Sequence, residues 1–183
     1  MTARKCGLGL VVLLAVFVTA SNTAEAQKLK PFKVSGSGFV DFFPLSVGPT
    51  ANHTSEGVAT QLGAYHLSAA AVQLDSEFVF DEFGVGTADF SSAVDPVFVA
   101  ANGDQLTLHY EGFVTAIPQP DGTYRSFWVA DFTPVPAGNT GQFEKVTGGS
   151  FVMYAESEPF IPGVSTDIYY EWEGDGFLEW DED

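Results

Sequence analysis

The chain has 183 residues, 45% of them hydrophobic, 14% aromatic and 17% charged; 24 acidic residues against 7 basic ones give a formal net charge of −17 at pH 7. So few cations leave no electrostatic footprint for DNA or RNA, and an anionic membrane surface would repel the chain. The aromatic content is too high for a disordered acidic solvator.

The N-terminus reads as an export signal. Arg4 and Lys5 precede an apolar run over 7–20, and a polar stretch ends in Ala24-Glu25-Ala26, a small-x-small cleavage pattern. The run is shorter than the ~20 residues a helix needs to cross a bilayer, and no later segment is apolar enough to span as a helix. The expected mature chain is residues 27–183, secreted or periplasmic. Its only cysteine, Cys6, leaves with the signal 1–26. Without disulfides, a domain of this size must be held by its core, and it is large enough to bury one.

Beyond the signal no helical period is sustained. Apolar and polar residues alternate between frequent turn residues, with 19 Gly and 10 Pro in the chain. The pattern predicts strands near 34–43, 57–65, 66–74, 76–91, 95–101, 104–117, 123–133, 143–157 and 165–180, antiparallel because their connections are short. From Leu106 to Ala116, residues Leu106, Leu108, Tyr110, Gly112, Val114 and Ala116 share one face. In the next strand Tyr124, Ser126, Trp128, Ala130 and Phe132 fall together; in the last, Ile168, Tyr170, Trp172, Gly174 and Gly176. Asn102-Gly103 predicts a type I′ hairpin turn, which needs positive φ at both residues. Gly141 to Gly149 reads as a turn, an apolar plug of Phe143 and Val146, and a glycine-bent strand entry.

Eight or nine strands in one domain leave an antiparallel β-barrel or a β-sandwich. Glycines inside long strands favour the barrel, where strong coiling requires bends. Closure also removes edges that few lysines remain to guard.

Three segments carry a resemblance: Gly57-Val58-Ala59-Thr60-Gln61-Leu62-Gly63-Ala64-Tyr65, Ala100-Ala101-Asn102-Gly103-Asp104-Gln105-Leu106, and Gly141-Gln142-Phe143-Glu144-Lys145-Val146-Thr147-Gly148-Gly149. In order and spacing they resemble secreted bacterial proteins of unassigned function, which look like small barrels of the allene oxide cyclase and dirigent type. The resemblance covers about residues 35–178 and implies a barrel with an apolar interior. These are turn motifs, so it implies no catalytic residue.

No catalytic constellation stands out. His53, His66 and His109 are the only histidines. His53 is expected in a loop, within a glycosylation-type triplet Asn52-His53-Thr54; His109 is expected on a solvated strand face; His66 is ambiguous. Three scattered histidines make no zinc site, and no nucleophile elbow or phosphate loop is present. Glu82 and Glu111 stand out as carboxylates on otherwise apolar strands, the minimum a glycosidase would need. The acidic end, 167–183, is expected to be a solvated surface, with weak calcium binding as the alternative. No cofactor is expected. The candidate interior residues are Tyr110, Trp128, Phe132, Tyr170 and Trp172. Phe78, Phe80 and Phe143 are expected in the core beside them.

Small eight-stranded barrels are either filled or hold one small molecule, and this aromatic load favours filling. Three functions follow. The first is non-enzymatic, binding a small apolar ligand or acting at the cell envelope. The second is a cyclase or isomerase using an interior acid, tyrosine or histidine. The third is a structural protein that forms oligomers.

Overall fold

The computed structural model describes residues 28–181. The expected signal segment 1–26 lies outside them, as do Glu182 and Asp183. The described chain is all β apart from two short 3-10 turns. Its strands are β1 (Lys28–Phe42), β2 (Thr50–Ala59), β3 (Gly63–Leu67), β4 (Ala71–Leu74), β5 (Val79–Phe80), β6 (Gly86–Val94), β7 (Val97–Ala100), β8 (Gln105–Pro118), β9 (Tyr124–Pro134), β10 (Val146–Ser157) and β11 (Thr166–Trp180).

All pairings are antiparallel and they close on themselves. The order β1-β11-β10-β9-β8 continues through β6, β4 and β2, and β2 pairs again with β1. Strands β3 and β4 occupy one position in the ring, interrupted at 68–70; β6 and β7 occupy another, interrupted at Asp95-Pro96. The result is an eight-stranded barrel. Its seam is the long β1–β11 ladder, from Lys28 opposite Trp180 to Phe42 opposite Thr166. This seam explains why β1 begins six residues before the sequence pattern suggests. Lys33 faces outward, 3.3 Å from Asp175, whereas Lys28 and Lys30 share the strand face of buried Phe32 and Val34, and Lys30 lies over the Trp180 ring at the barrel end.

The predicted faces of β8, β9 and β11 point into the barrel. Leu106, Leu108, Tyr110, Val114, Ala116, Ser126, Ala130, Phe132, Ile168 and Trp172 are all buried. The lower half is filled by aromatic contact: Phe132 stacks on Phe151 at 4.8 Å, Phe151 meets Phe32 at 5.0 Å, and Tyr65 meets Phe98 at 4.9 Å. Phe143, on the 3-10 turn Gly141–Phe143, and Val146 plug this end with no exposed surface. Gly112 faces the barrel where β8 and β9 cross closely, and a Cβ there would overlap the Val129 carbonyl.

Several boundaries differ from the sequence reading. The stretch 76–91 is a two-residue strand, a turn and then β6, because Asp81 Oδ1 accepts from Phe83 N and Val85 N and reverses the chain. Phe80 consequently projects into solvent, 57% exposed, and is not core. The Asn102-Gly103 turn is not type I′. Gly103 N donates to Ala100 O and Ala100 N to Asp104 O, with Gly103 alone at positive φ, +90°. This is a type I turn followed by a glycine bulge; Asn102 keeps ordinary φ, and its side chain donates to Asp104 at 2.9 Å. Replacing Gly103 with alanine is expected to lower stability by about 1 kcal/mol, read from the midpoint of denaturant unfolding.

Candidate functional site

The antiparallel order brings segments 43–49, 75–85, 119–123 and 158–165 to one end of the barrel. There Phe43 and Phe160 lie 4.6 Å apart and Phe43 sits 5.7 Å from Phe78, forming an aromatic lid. Reciprocal backbone bonds between Tyr124 and Phe160, at 2.8 and 2.9 Å, sew the 158–165 segment onto β9. Around the lid stand apolar side chains in water: Val79 is 76% exposed, Phe83 75% and Val164 70%.

Below the lid is a void of about 80 Å³, walled by Val40, Val72, Phe90, Met153, Ala155 and Ile168 together with Tyr110, Trp128, Phe132, Tyr170, His53, Ser126 and Ser157. Four of the five candidate residues thus meet around one cavity. Trp172 does not line it. It packs one layer deeper, between Phe132 and Tyr65, and its Nε1 donates to Ser55 Oγ at 2.8 Å.

The polar centre of the wall is a residue assigned above to a loop. His53 lies in β2, half-buried, opposite Val40 of β1. Its Nδ1 is 3.1 Å from the Tyr170 hydroxyl and its Nε2 is 3.0 Å from the Tyr110 hydroxyl. The inward face of β2 reads Ala51, His53, Ser55, Gly57, Ala59. It alternates small and polar residues rather than large apolar ones, so hydrophobic periodicity passes over it. The available signal was small residues at every second position. Gly36 and Gly38 of β1 explain how the contact forms. They pair with Trp172 and Tyr170 on one side and with Gly57 and Ser55 on the other. Without side chains there, Tyr170 and Trp172 reach across β1 to His53 and Ser55.

The hydrogen-bond geometry assigns the protons. The Tyr170 hydroxyl donates to the Thr54 carbonyl at 2.8 Å, so it accepts from His53 Nδ1. Nε2 then carries no proton and accepts from Tyr110. The inverse order would exchange the 2.8 Å bond for the longer one from Tyr110 to Ala71 O, 3.2 Å. Burial pushes the His53 pKa down to about 4, against the pull of the Asp41 carboxylate, so the ring is neutral at pH 7. Burial also raises both tyrosine hydroxyls well above their ordinary range. The site is therefore an uncharged network in an apolar chamber.

Other sequence candidates lie elsewhere. His109 is on the outer side of β8, 2.9 Å from Asp95 and 2.8 Å from Ser92 Oγ. His66 is exposed on β3. Glu82 is exposed beyond β5, Glu111 is exposed on β8, and neither lines the cavity. Among the described residues no group of three or more His, Cys, Asp or Glu could hold a metal ion, and no helix is long and apolar enough to cross a membrane. No family model matches this chain, and neither a curated protein nor a solved structure matches it.

Proposed function

We propose that this is a non-enzymatic binding protein that takes one small, mainly apolar molecule into the chamber beneath the lid. The observation that carries the reading is the cavity itself, a void of about 80 Å³ kept open in a barrel otherwise filled with aromatic rings. Close packing is the rule in protein interiors, and a void leaves its lining without dispersion partners. Its walls are apolar, and its polar groups are concentrated on His53, Tyr110, Tyr170, Ser126 and Ser157, the usual composition of a small-molecule site. The apolar rim at Val79, Phe83 and Val164 gives such a molecule a compatible surface to approach. We place this work outside the cytoplasm, on the strength of the basic-then-apolar leader and its Ala24-Glu25-Ala26 cleavage pattern.

The test is a thermal-shift screen of short-chain and single-ring compounds. A ligand at a hundred times its Kd stabilises by about 2.7 kcal/mol, which raises Tm by about 5–10 °C at this size. Ala155→Leu, which fills the chamber from β10, should abolish the shift. A panel with no shift overturns the proposal.

A cyclase-like activity is the second reading, favoured by one observation: a neutral imidazole joined to two tyrosine hydroxyls can move a proton between them. Both imidazole nitrogens are already held by tyrosines, which leaves no lone pair for a substrate while the network is intact. Product formation from a bound ligand, lost in His53→Gln, would favour this reading over binding.

A further inference from the structure

Two serines in the chamber are bonded on one side only. Ser126 is 1% exposed and Ser157 4% exposed, and both line the cavity. Ser126 Oγ accepts from Trp128 Nε1 at 2.8 Å, and Ser157 Oγ accepts from the Ser126 backbone N at 2.9 Å. In both bonds the hydroxyl acts as acceptor, so its own proton remains to be donated. A buried donor left without an acceptor loses its solvation with nothing in return. Two such donors sit side by side, at the end of β10 and the start of β9, where they meet the apolar void.

We infer that the chamber recognises an uncharged molecule with a carbonyl or hydroxyl oxygen, which accepts from Ser126 and Ser157 while an apolar body fills the space toward Phe90 and Met153. This rests on the binding reading above and specifies its ligand class. The charge requirement follows from the walls. No lysine or arginine lines the cavity. Arg125 is engaged by Glu156. His53 faces Tyr110 and Tyr170, both neutral, and the Asp41 carboxylate beyond it opposes an incoming anion. A carboxylate would enter without a counter-charge, and desolvating an unpaired ion costs far more than one hydrogen bond returns. An ammonium group meets the same desolvation, offset only in part by the Asp41 carboxylate. Size sets the rest: the void is about 80 Å³, and at about 30 Å³ of liquid volume per water it holds roughly three waters, the scale of a molecule of about three or four heavy atoms.

Calorimetric titration of the intact protein at pH 7 tests this with four probes of similar bulk: acetone, isobutane, acetate and isopropylamine. The ketone should bind about tenfold more tightly than the hydrocarbon, and the two ions at least a hundredfold more weakly than the ketone. In Ser126→Ala and, separately, Ser157→Ala, the preference of ketone over hydrocarbon should fall to about twofold. Because the four-probe comparison is made on the unaltered chain, it stands even if a variant fails to fold. Equal affinity for hydrocarbon and ketone overturns recognition of the oxygen and leaves the binding proposal intact. An ion bound as tightly as the ketone overturns the exclusion of charge. If none of the four binds, the binding proposal falls together with this one, and ordered water satisfies the serines.

Discussion

Phe132→Ala is expected to cost about 3–5 kcal/mol of folding stability and to lower Tm by about 10 °C or more. Phe132 is 5% exposed and sits where the filled lower barrel meets the chamber. It stacks on Phe151 at 4.8 Å and Trp172 at 6.1 Å, and it meets Tyr110 at 5.0 Å. Removing the ring takes away dispersion contacts with three aromatic neighbours. Each of those is anchored in a different strand, so none can collapse into the gap. The new space would join the existing void and enlarge the chamber. Phe83→Ala is the matched control: its ring is 75% exposed, and its loss should change stability by less than about 0.5 kcal/mol. Chemical denaturation of both variants decides the matter, and a cost below 1 kcal/mol for Phe132→Ala would mean that the aromatic column carries no packing energy.

The second expected result concerns pH. His53 has a pKa of about 4 in the folded barrel, against 6.5 as its ordinary value. Between those values the unfolded chain binds a proton that the folded chain does not, so stability falls as pH drops from 6.5 toward 4. Above 6.5 the residue is neutral in both states and contributes no pH dependence. Below about 4 it is charged in both states and the loss is complete, at about 3 kcal/mol. His53→Gln removes the titration while keeping hydrogen-bonding capacity toward Tyr110 and Tyr170. Its stability should therefore lack this part of the decline between pH 6.5 and 4. Parallel curves for the two proteins would show that the ring is solvated rather than enclosed.

Wherever one face of a strand is large and apolar, the sequence pattern was enough. The alternations at 106–116 and 168–176 place Leu108, Tyr110, Ile168 and Trp172 on one side, and those side chains are the ones buried. Tyr110, Trp128, Phe132 and Tyr170 were legible as interior groups for the same reason: aromatic residues repeat at period two beside polar ones. His53 was illegible because its strand carries Ala51, Ser55, Gly57 and Ala59 inward. Small side chains are needed there, since rings from β11 cross over Gly36 and Gly38 to fill that space. The strand is apolar only through what its neighbours lend it.

Composition and alternation by themselves determined an antiparallel all-β chain with aromatics on one side and carboxylates on the other, because side-chain direction in a strand is a local, period-two property. Closure of the ring through β1 and β11, the void under Phe43, and the meeting of His53 with Tyr110 and Tyr170 were decided only in three dimensions. They join residues 57 and 117 positions apart, and contacts at that range follow from register and barrel curvature, which no local pattern encodes.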